Sequence, residues 1–284
     1  MPMPPKTAIV VEGGAMRGIF SAGVLDVFLE RGVEFDLAIG TSAGAANLAS
    51  FVAKQRERNL RSYVDLMTRP ELFSLARALR GGHYMDLDWL WDRLAAENPL
   101  DEAAIARNPT LLVSVTTCAR TGKALYFEHR APNVHVEVKA SCALPVLYRG
   151  PVMLQGQPVV DGGLSDAVPA QEAYRRGARH IVVVRSRPAN VVKDKSALDP
   201  VMAWLLRDQP AVANALRQAA DRYREAIEFI QAPPADATII QLSPDAPLQT
   251  SRTSQDKETL RADYQLGRQI AERYLLDRDG RAAT

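Results

Sequence analysis

The chain has 284 residues, of which 47% are hydrophobic and 24% are charged, as is typical of a globular protein with a substantial core. The formal net charge of +2 and the scattered basic residues argue against nucleic-acid binding, so no nucleic-acid partner is expected. No run approaches the roughly 18 apolar residues that a membrane span needs, and the first residues carry no apolar signal core. The sequence therefore predicts a cytoplasmic protein, whose contact with a membrane would be peripheral. Cys118 and Cys142 lack metal-ligand spacing and are expected to be buried thiols.

The N-terminal part of the chain alternates short apolar runs with helical patterns. Apolar runs at 7–11 and 35–39 predict strands, and apolar residues at helical spacing over 19–31 predict a helix that ends at Gly32. Another helix is expected at 45–54. Continuous apolar strands joined by helices favour a parallel sheet with both faces covered.

The rest of the chain continues this pattern after an interruption. Residues 56–108 are charged and rich in large apolar groups, and they predict an insertion of short helices between strands. The remaining predicted elements are strands at 110–116, 124–128, 157–161, 181–185 and 238–242, helices at 171–176, 199–231 and 250–276, and an ambiguous segment at 133–141. After residue 188 the composition shifts towards amphipathic helices rich in Ala and Arg.

A serine stands between two glycines where the second predicted strand meets a helix. The sequence reads Gly40, Thr41, Ser42, Ala43 and Gly44, which matches the Gly-x-Ser-x-Gly nucleophile elbow. A nucleophilic serine must project from a sharp turn, and small neighbours let strand and helix pack closely. The helix N-terminus also favours developing negative charge. The alternative is a small-residue turn in which the serine caps the helix.

A glycine-rich turn follows the first predicted strand. Its residues are Gly13, Gly14, Ala15, Met16, Arg17 and Gly18. One interpretation is phosphate binding, but Ala15 breaks the Gly-x-Gly-x-x-Gly pattern of dinucleotide folds. A second is an oxyanion hole made of backbone N–H groups, and a third is simply a tight turn. Neighbouring parallel strands would place this turn beside Ser42, which favours the oxyanion hole.

The general base is the remaining question, and two residues compete for it. Asp161 ends the predicted strand at 157–161 and precedes Gly162 and Gly163, so a shared sheet edge would bring it to Ser42. The alternative is a turn-forming Asp-Gly pair. His180 follows in the order of an ordinary triad, but it begins a strand and is expected at the opposite edge.

These motifs together resemble the patatin-like phospholipase family. The matching runs are Gly13-Gly14-x-x-Arg17-Gly18, Gly40-Thr-Ser42-Ala-Gly44, Asp161-Gly162-Gly163, Ala140-Ser-Cys-Ala-Leu-Pro145, and the helix with Pro169, Ala173 and Gly177 before Ile181. The resemblance covers about residues 5–190 and implies a three-layer α/β/α domain with a mostly parallel sheet. Residues 191–284 would then be a mainly helical extension packed on the same domain.

The resemblance implies a Ser–Asp dyad without histidine. Ser42 would be the nucleophile, Asp161 the base, and the 13–18 loop the oxyanion hole, with Gly14 and Ala15 as donors and Arg17 orienting the loop. Ala15 stands where the family often has glycine, and it would be strained only if that position needs a positive φ. The expected activity is hydrolysis of phospholipids or other acyl esters through an acyl-enzyme.

Several alternatives stay open at this point. An acyltransferase would use the same acyl-enzyme, although acyl-carrier transacylases typically carry His where Thr41 stands. Non-catalytic nucleotide binding and lipid binding are further candidates. The aromatic-rich insertion, with Trp89 and Trp91, is interpreted as a lid, an acyl-chain groove or core packing. No cofactor is expected, and no His, Cys or carboxylate cluster has metal-ligand spacing.

Overall fold

A computed structural model describes residues 6–129, 133–191 and 199–282, and the expectation about the first residues lies outside these ranges. The described strands are β1 (Thr7–Val11), β2 (Leu37–Thr41), β3 (Leu111–Cys118), β4 (Ala124–His129), β5 (Val152–Leu154), β6 (Gln157–Asp161), β7 (His180–Val184) and β8 (Thr238–Leu242). They form one sheet in the order β5-β6-β3-β2-β1-β7-β8, with β4 also paired to β3. The five strands from β3 to β8 in that order are parallel, and β4, β5 and β6 join by antiparallel pairs.

Helices cover the sheet and fill the insertion. The helices are α1 (Gly18–Glu30), α2 (Ala43–Val52), α3 (Arg58–Arg61), α4 (Leu75–Leu79), α5 (Leu87–Glu97), α6 (Glu102–Arg107), α7 (Val134–Ser141), α8 (Ala170–Arg175), α9 (Asp199–Leu205), α10 (Pro210–Gln231) and α11 (Lys257–Ala282). A π-helical turn, Ser62–Leu66, follows α3. None of the helices in the described ranges combines the length and apolar character that crossing a bilayer requires.

Alternate residues of the parallel strands face two different hydrophobic clusters. On β1, Ile9 and Val11 pack with residues of α1, α2, α7 and α11, whereas Ala8 and Val10 pack with residues of α8 and α10. Because side chains alternate across a strand, this division means that the sheet is covered on both faces. The fold is therefore the expected three-layer α/β/α arrangement around a mostly parallel sheet.

The end of α1 shows how a local signal sets an element boundary. Gly32 has φ +64, which a glycine adopts without the steric cost of a Cβ. The Val33 N–H donates to the Phe28 carbonyl at 2.9 Å, and the Gly32 N–H donates to the Leu29 carbonyl at 3.2 Å. These two bonds form a Schellman motif, as the glycine after the helical pattern predicts.

Candidate active site

The glycine-rich turn and the serine turn lie side by side at one edge of the sheet. β1 and β2 are adjacent and parallel, with Val11 opposite Gly40, so both following turns leave from the same edge. A Cβ placed on Gly13 would lie 3.2 Å from the Cβ of Ser42. The expected proximity of the two turns is confirmed by this register.

Ser42 occupies a strained position between β2 and α2. Its φ of 53° and ψ of −125° lie outside the regions that most residues adopt. The flanking glycines are needed sterically, because a Cβ on Gly44 would lie 2.3 Å from the Val11 carbonyl oxygen and one on Gly40 would lie 2.7 Å from the Gly44 carbonyl carbon. The backbone therefore projects the serine from a tight strand-to-helix turn that small residues alone permit.

The hydroxyl of Ser42 donates a hydrogen bond to the carboxylate of Asp161. The Oγ to Oδ2 distance is 2.7 Å, and Oδ1 of Asp161 accepts from the Gly163 N–H, also at 2.7 Å. Asp161 is buried, which strengthens an electrostatic interaction of this kind. The two bonds fix the orientation of the carboxylate and direct one oxygen at the serine.

Asp161 reaches Ser42 by a route that the sequence interpretation did not foresee. That interpretation placed it at the carboxyl edge of a parallel strand, but β6 runs antiparallel to β3, with Asp161 opposite Thr116. β3 continues past the end of β2, where Thr41 lies opposite Val115, and β6 pairs with this overhang. The chain therefore returns towards the sheet, and its last strand residue arrives level with the serine turn.

The acid turn also needs glycine next to the carboxylate. A Cβ on Gly162 would lie 2.3 Å from the carbonyl oxygen of Val115, so no larger residue fits without moving β3. The Oγ1 of Thr41 donates to the Asp166 carbonyl at 2.8 Å. The acid turn is thus bonded directly to the end of the strand that carries the serine.

Two adjacent backbone N–H groups of the glycine-rich loop have no protein acceptor within the described residues. The N–H groups of Gly13 and Met16 donate to the carbonyls of Ala167 and Arg252, at 3.3 and 3.4 Å. Those of the next two residues turn inward on the loop itself, since Arg17 donates to Gly14 and Gly18 to the 3-10 turn Ala15–Arg17. The N–H groups that remain are those of Gly14 and Ala15, the two expected oxyanion donors.

Ala15 adopts the conformation that the sequence analysis identified as strained. Its φ is +50°, in the left-handed region that glycine enters freely and alanine does not. The alanine keeps its N–H group, so the strain affects the stability of the loop and leaves its hydrogen-bonding capacity intact. A left-handed alanine costs roughly 1–2 kcal/mol.

None of the four histidines lines the pocket that contains Ser42. His180 pairs with Thr7 at the amino end of β7, opposite the serine edge, as expected. His83 stacks on Tyr148, and His135 bonds to Glu102. His129 lies in charged sequence surroundings, which predict a surface or capping role, but the structure buries it beside Glu137 and that prediction is wrong.

A pocket of about 730 Å³ contains Ser42 and Asp161 in its wall. Much of the wall is apolar and comes from the insertion, including Phe73, Leu90 and Trp91. Several of these side chains also form a hydrophobic cluster with Cys142 and Ala143, so groove and core packing are combined in one structure. A lid movement of the insertion stays a prediction.

Within the described ranges, no group of three or more His, Cys, Asp or Glu side chains could hold a metal ion.

Sequence reasoning gave no role to two residues that lie beside the serine. The Ser42 N–H donates to Ser141 Oγ at 2.8 Å, and Ser141 in turn donates to the Val115 carbonyl at 2.5 Å. Cys142 shares the pocket wall with Ser42, and burial and the charge of Asp161 raise the pKa of its thiol. The run Ala140-Ser-Cys-Ala-Leu-Pro145 is part of the family resemblance, but the contacts of its residues with the serine turn come from tertiary packing and have no local sequence signal.

Comparisons with known proteins identify similar families and sequences. The family model "Patatin-like phospholipase" matches residues 9–174, and a model described as a domain of unknown function (DUF6363) matches residues 209–277. The uncharacterized protein YjjU of Escherichia coli is 37% identical over 287 residues, covering 99% of this chain and 80% of that protein.

More distant similarities extend over parts of other proteins. The uncharacterized NTE family protein Rv1063c of Mycobacterium tuberculosis is 26% identical over 165 residues, which are 58% of this chain and 44% of that protein. The crystal structure of VipD from Legionella pneumophila matches with a TM-score of 0.42 and 15% identity, over 95% of this chain and 67% of that one. On the family model and the relative from Escherichia coli, the chain belongs to the patatin-like phospholipase family.

Proposed function

We propose that this protein is a lipid acyl hydrolase in which Ser42 is the nucleophile and Asp161 the general base. The family supports lipid acyl hydrolysis in general. The observation that carries the specific assignment is the 2.7 Å hydrogen bond from Ser42 Oγ to Asp161 Oδ2, made in a pocket that Gly14 and Ala15 also line. A nucleophile, a base and vacant backbone donors are the parts that acyl transfer needs.

The proposed reaction begins with attack of Ser42 Oγ on the ester carbonyl carbon. As the new C–O bond forms, the hydroxyl proton passes to Asp161, and the carbonyl oxygen becomes an oxyanion facing the N–H groups of Gly14 and Ala15. Collapse of this intermediate breaks the ester C–O bond, and Asp161 returns the proton to the leaving alcohol. A water molecule then attacks the acyl-enzyme carbonyl carbon while Asp161 takes its proton. Collapse of this second intermediate breaks the bond to Ser42 Oγ, Asp161 returns the proton to Oγ, and the fatty acid is released.

A carboxylate is a weak base for a hydroxyl, since aspartate ordinarily has a pKa of ~3.9. The proposal therefore assigns much of the rate enhancement to stabilisation of the oxyanion. Removal of one such donor typically costs about 10²–10³ in kcat. The buried position of Asp161 and its second bond to Gly163 support the proposal, because a fixed carboxylate needs little reorganisation during proton transfer.

The pocket supports an apolar acyl chain as the substrate group. Phe73, Leu90 and Trp91 of the insertion line it, and Met202 of α9 lines it from another side. The opposite side of α9 exposes apolar groups to solvent, including Trp204, which is 62% exposed. Exposed aromatic and aliphatic groups beside a pocket are typical of contact with a lipid surface, so peripheral membrane contact is part of the proposal.

The test combines covalent labelling with ester turnover. Wild type, Ser42→Ala, Asp161→Asn and the control His180→Ala are treated with a fluorophosphonate probe and assayed on p-nitrophenyl butyrate, after melting curves show that each variant is folded. We expect Ser42→Ala and Asp161→Asn to lose labelling and to hydrolyse the ester at least about 10²-fold more slowly than wild type. The control His180→Ala should match wild type in both measurements. A folded wild type without labelling or turnover, or a dead His180→Ala, would overturn the proposal.

A further inference from the structure

Three of the four arginines that line the pocket, all except Arg58, are grouped at the glycine-rich loop. Arg17 is part of the loop, Arg187 follows β7, and Arg252 comes from the segment before α11. The carbonyl of Arg252 accepts the Met16 N–H at 3.4 Å, so the C-terminal segment is bonded to the loop itself. The arginines thus approach the expected oxyanion donors from three separate parts of the chain.

The nearby carboxylate of Glu12 is bonded mainly to neutral groups. Its Oε2 accepts from the Ser186 N–H at 2.7 Å and from the Ser186 hydroxyl at 3.0 Å, and its Oε1 accepts from the Tyr223 hydroxyl at 2.8 Å. The Nε of Arg187 lies 3.7 Å from Oε1, which is an ion pair beyond ordinary hydrogen-bond distance. Two positive groups, Arg187 and Arg17, therefore interact with one buried carboxylate whose oxygens already accept hydrogen bonds from neutral groups.

Two of the arginines keep buried donors without a hydrogen-bond partner. In the described part of the chain, the Nε atoms of Arg17 and Arg187 are buried and make no hydrogen bond. Leaving a buried charged donor unsatisfied is costly, so such a donor calls for an explanation such as an absent ligand. Burial, and then the charges of Arg187 and Arg252, lower the pKa of Arg17 to about 10, in agreement with an excess of positive charge here.

We propose that Arg17, Arg187 and Arg252 form an anion subsite that holds the phosphate of an anionic phospholipid while Ser42 attacks its acyl ester. The inference rests on the proposed function. Guanidinium groups bind phosphate oxygens with paired, charge-assisted hydrogen bonds, and the apolar side of the same pocket accommodates the acyl chain. The site thereby selects phosphorylated acyl esters over neutral ones.

The subsite also gives the C-terminal region a role. Arg187 and Arg252 both lie beyond residues 9–174, which the patatin-like model matches, and Arg252 lies within the 209–277 region of unknown function. Headgroup selection is therefore supplied largely by residues outside the matched hydrolase segment. Loss of these two arginines is expected to change substrate preference.

The experiment compares phosphatidic acid with diacylglycerol of the same acyl chains in neutral mixed micelles. The variants are Arg187→Gln and Arg252→Gln, and the matched control is Arg261→Gln, an exposed residue of α11. We expect wild type to prefer phosphatidic acid, each subsite variant to lower the ratio of the two kcat/KM values by about 10- to 100-fold, and the control to keep it. An unchanged ratio in both subsite variants, with active enzyme, overturns the subsite and leaves the proposed function standing.

A binding measurement separates the subsite from catalysis. Calorimetry with inorganic phosphate and with monododecyl phosphate is expected to show tighter binding of the dodecyl compound, lost in Arg252→Gln and kept in Arg261→Gln. Equal affinity for the two compounds would assign the site to a free phosphate and overturn the lipid-headgroup inference. If the arginine-dependent binding is present but no ester is hydrolysed and no fluorophosphonate is bound, the proposed function fails and the anion subsite itself survives.

Discussion

Asp166 offers a quantitative test of the electrostatics behind the acid turn. Its carboxylate accepts the Tyr126 hydroxyl at 2.9 Å, and its carbonyl accepts the hydroxyl of Thr41, next to the serine. Burial, with a further contribution from the charge of Glu172, raises the pKa of Asp166 to about 6. The perturbation is Asp166→Asn, which keeps the backbone and the size of the side chain and removes the charge.

The magnitude follows from the two pKa values of Asp166. In the unfolded chain the group has its ordinary value of 3.8, so the folded state binds the proton more tightly. The contribution of Asp166 to the free energy of unfolding is fully present below pH 3.8 and is lost as the pH rises through about 6. The difference between the two values, at about 1.36 kcal/mol for each pH unit, amounts to about 3 kcal/mol as an upper limit. The free energy of unfolding of Asp166→Asn, relative to wild type at the same pH, should therefore increase by up to that amount between pH 4 and pH 7.

The assay is urea unfolding of wild type and variant at each pH from 4 to 8. Comparison with wild type at the same pH is essential, because other carboxyl groups have lowered pKa values and act in the opposite direction. Asp36 is one of them, since its bonds to the Thr7 backbone and side chain and to Lys6 outweigh a small burial cost. The control Asp36→Asn, for which the series is extended to lower pH, should gain free energy of unfolding relative to wild type as the pH falls below 3.8. The reasoning would be refuted if the difference in free energy of unfolding between Asp166→Asn and wild type did not change with pH, or if it increased towards acid pH.

Three other substitutions test the geometry of the site. Gly44→Ala places a Cβ 2.3 Å from the Val11 carbonyl oxygen, so it should lower the free energy of urea unfolding by about 1–3 kcal/mol or more and abolish fluorophosphonate labelling. The control Gly280→Ala, whose Cβ meets open space, should have neither effect. Ala15→Gly removes a strain of about 1–2 kcal/mol but adds unfolded-state entropy, so the melting temperature should stay equal or rise while labelling persists. Trp204→Gln should weaken sedimentation with anionic vesicles and leave p-nitrophenyl butyrate hydrolysis intact; unchanged sedimentation would remove α9 from the membrane contact.

Elements with strong local patterns were predictable from the sequence, and weakly patterned ones were not. The bounds of β1, β6 and β8 are those expected, because each strand contains adjacent Val or Ile residues, which favour extended structure. β2 begins and ends two residues later than expected, since Phe35 lies before the strand and the pairing extends to Thr41. β5 has only three residues, Val152–Leu154, and its pattern is too short to indicate a strand without its partner β6.

The sequence did not indicate whether the strand that carries Asp161 runs parallel or antiparallel to its neighbour in the sheet. The proximity of the two glycine turns follows from sequential parallel strands and could be expected. Asp161 was placed beside Ser42 for a reason that is wrong, because β6 is antiparallel to β3. Likewise, no local pattern predicts that the Ser42 N–H donates to Ser141, or that the Met16 N–H donates to the carbonyl of Arg252. These contacts join residues 99 and 236 positions apart.

The strain at the site and its distant contacts belong together. Ala15 and Ser42, one in each of the two turns, both have positive φ, at 50° and 53°. Such conformations cost about 1–3 kcal/mol each and persist only where the surroundings impose them. The surroundings here are the acceptors Ala167 and Arg252 on the loop and Ser141 on the serine turn. Because Arg252 comes from the C-terminal region, that region helps to hold the loop in its strained form, with the Gly14 and Ala15 donors left vacant, and is a structural part of the site.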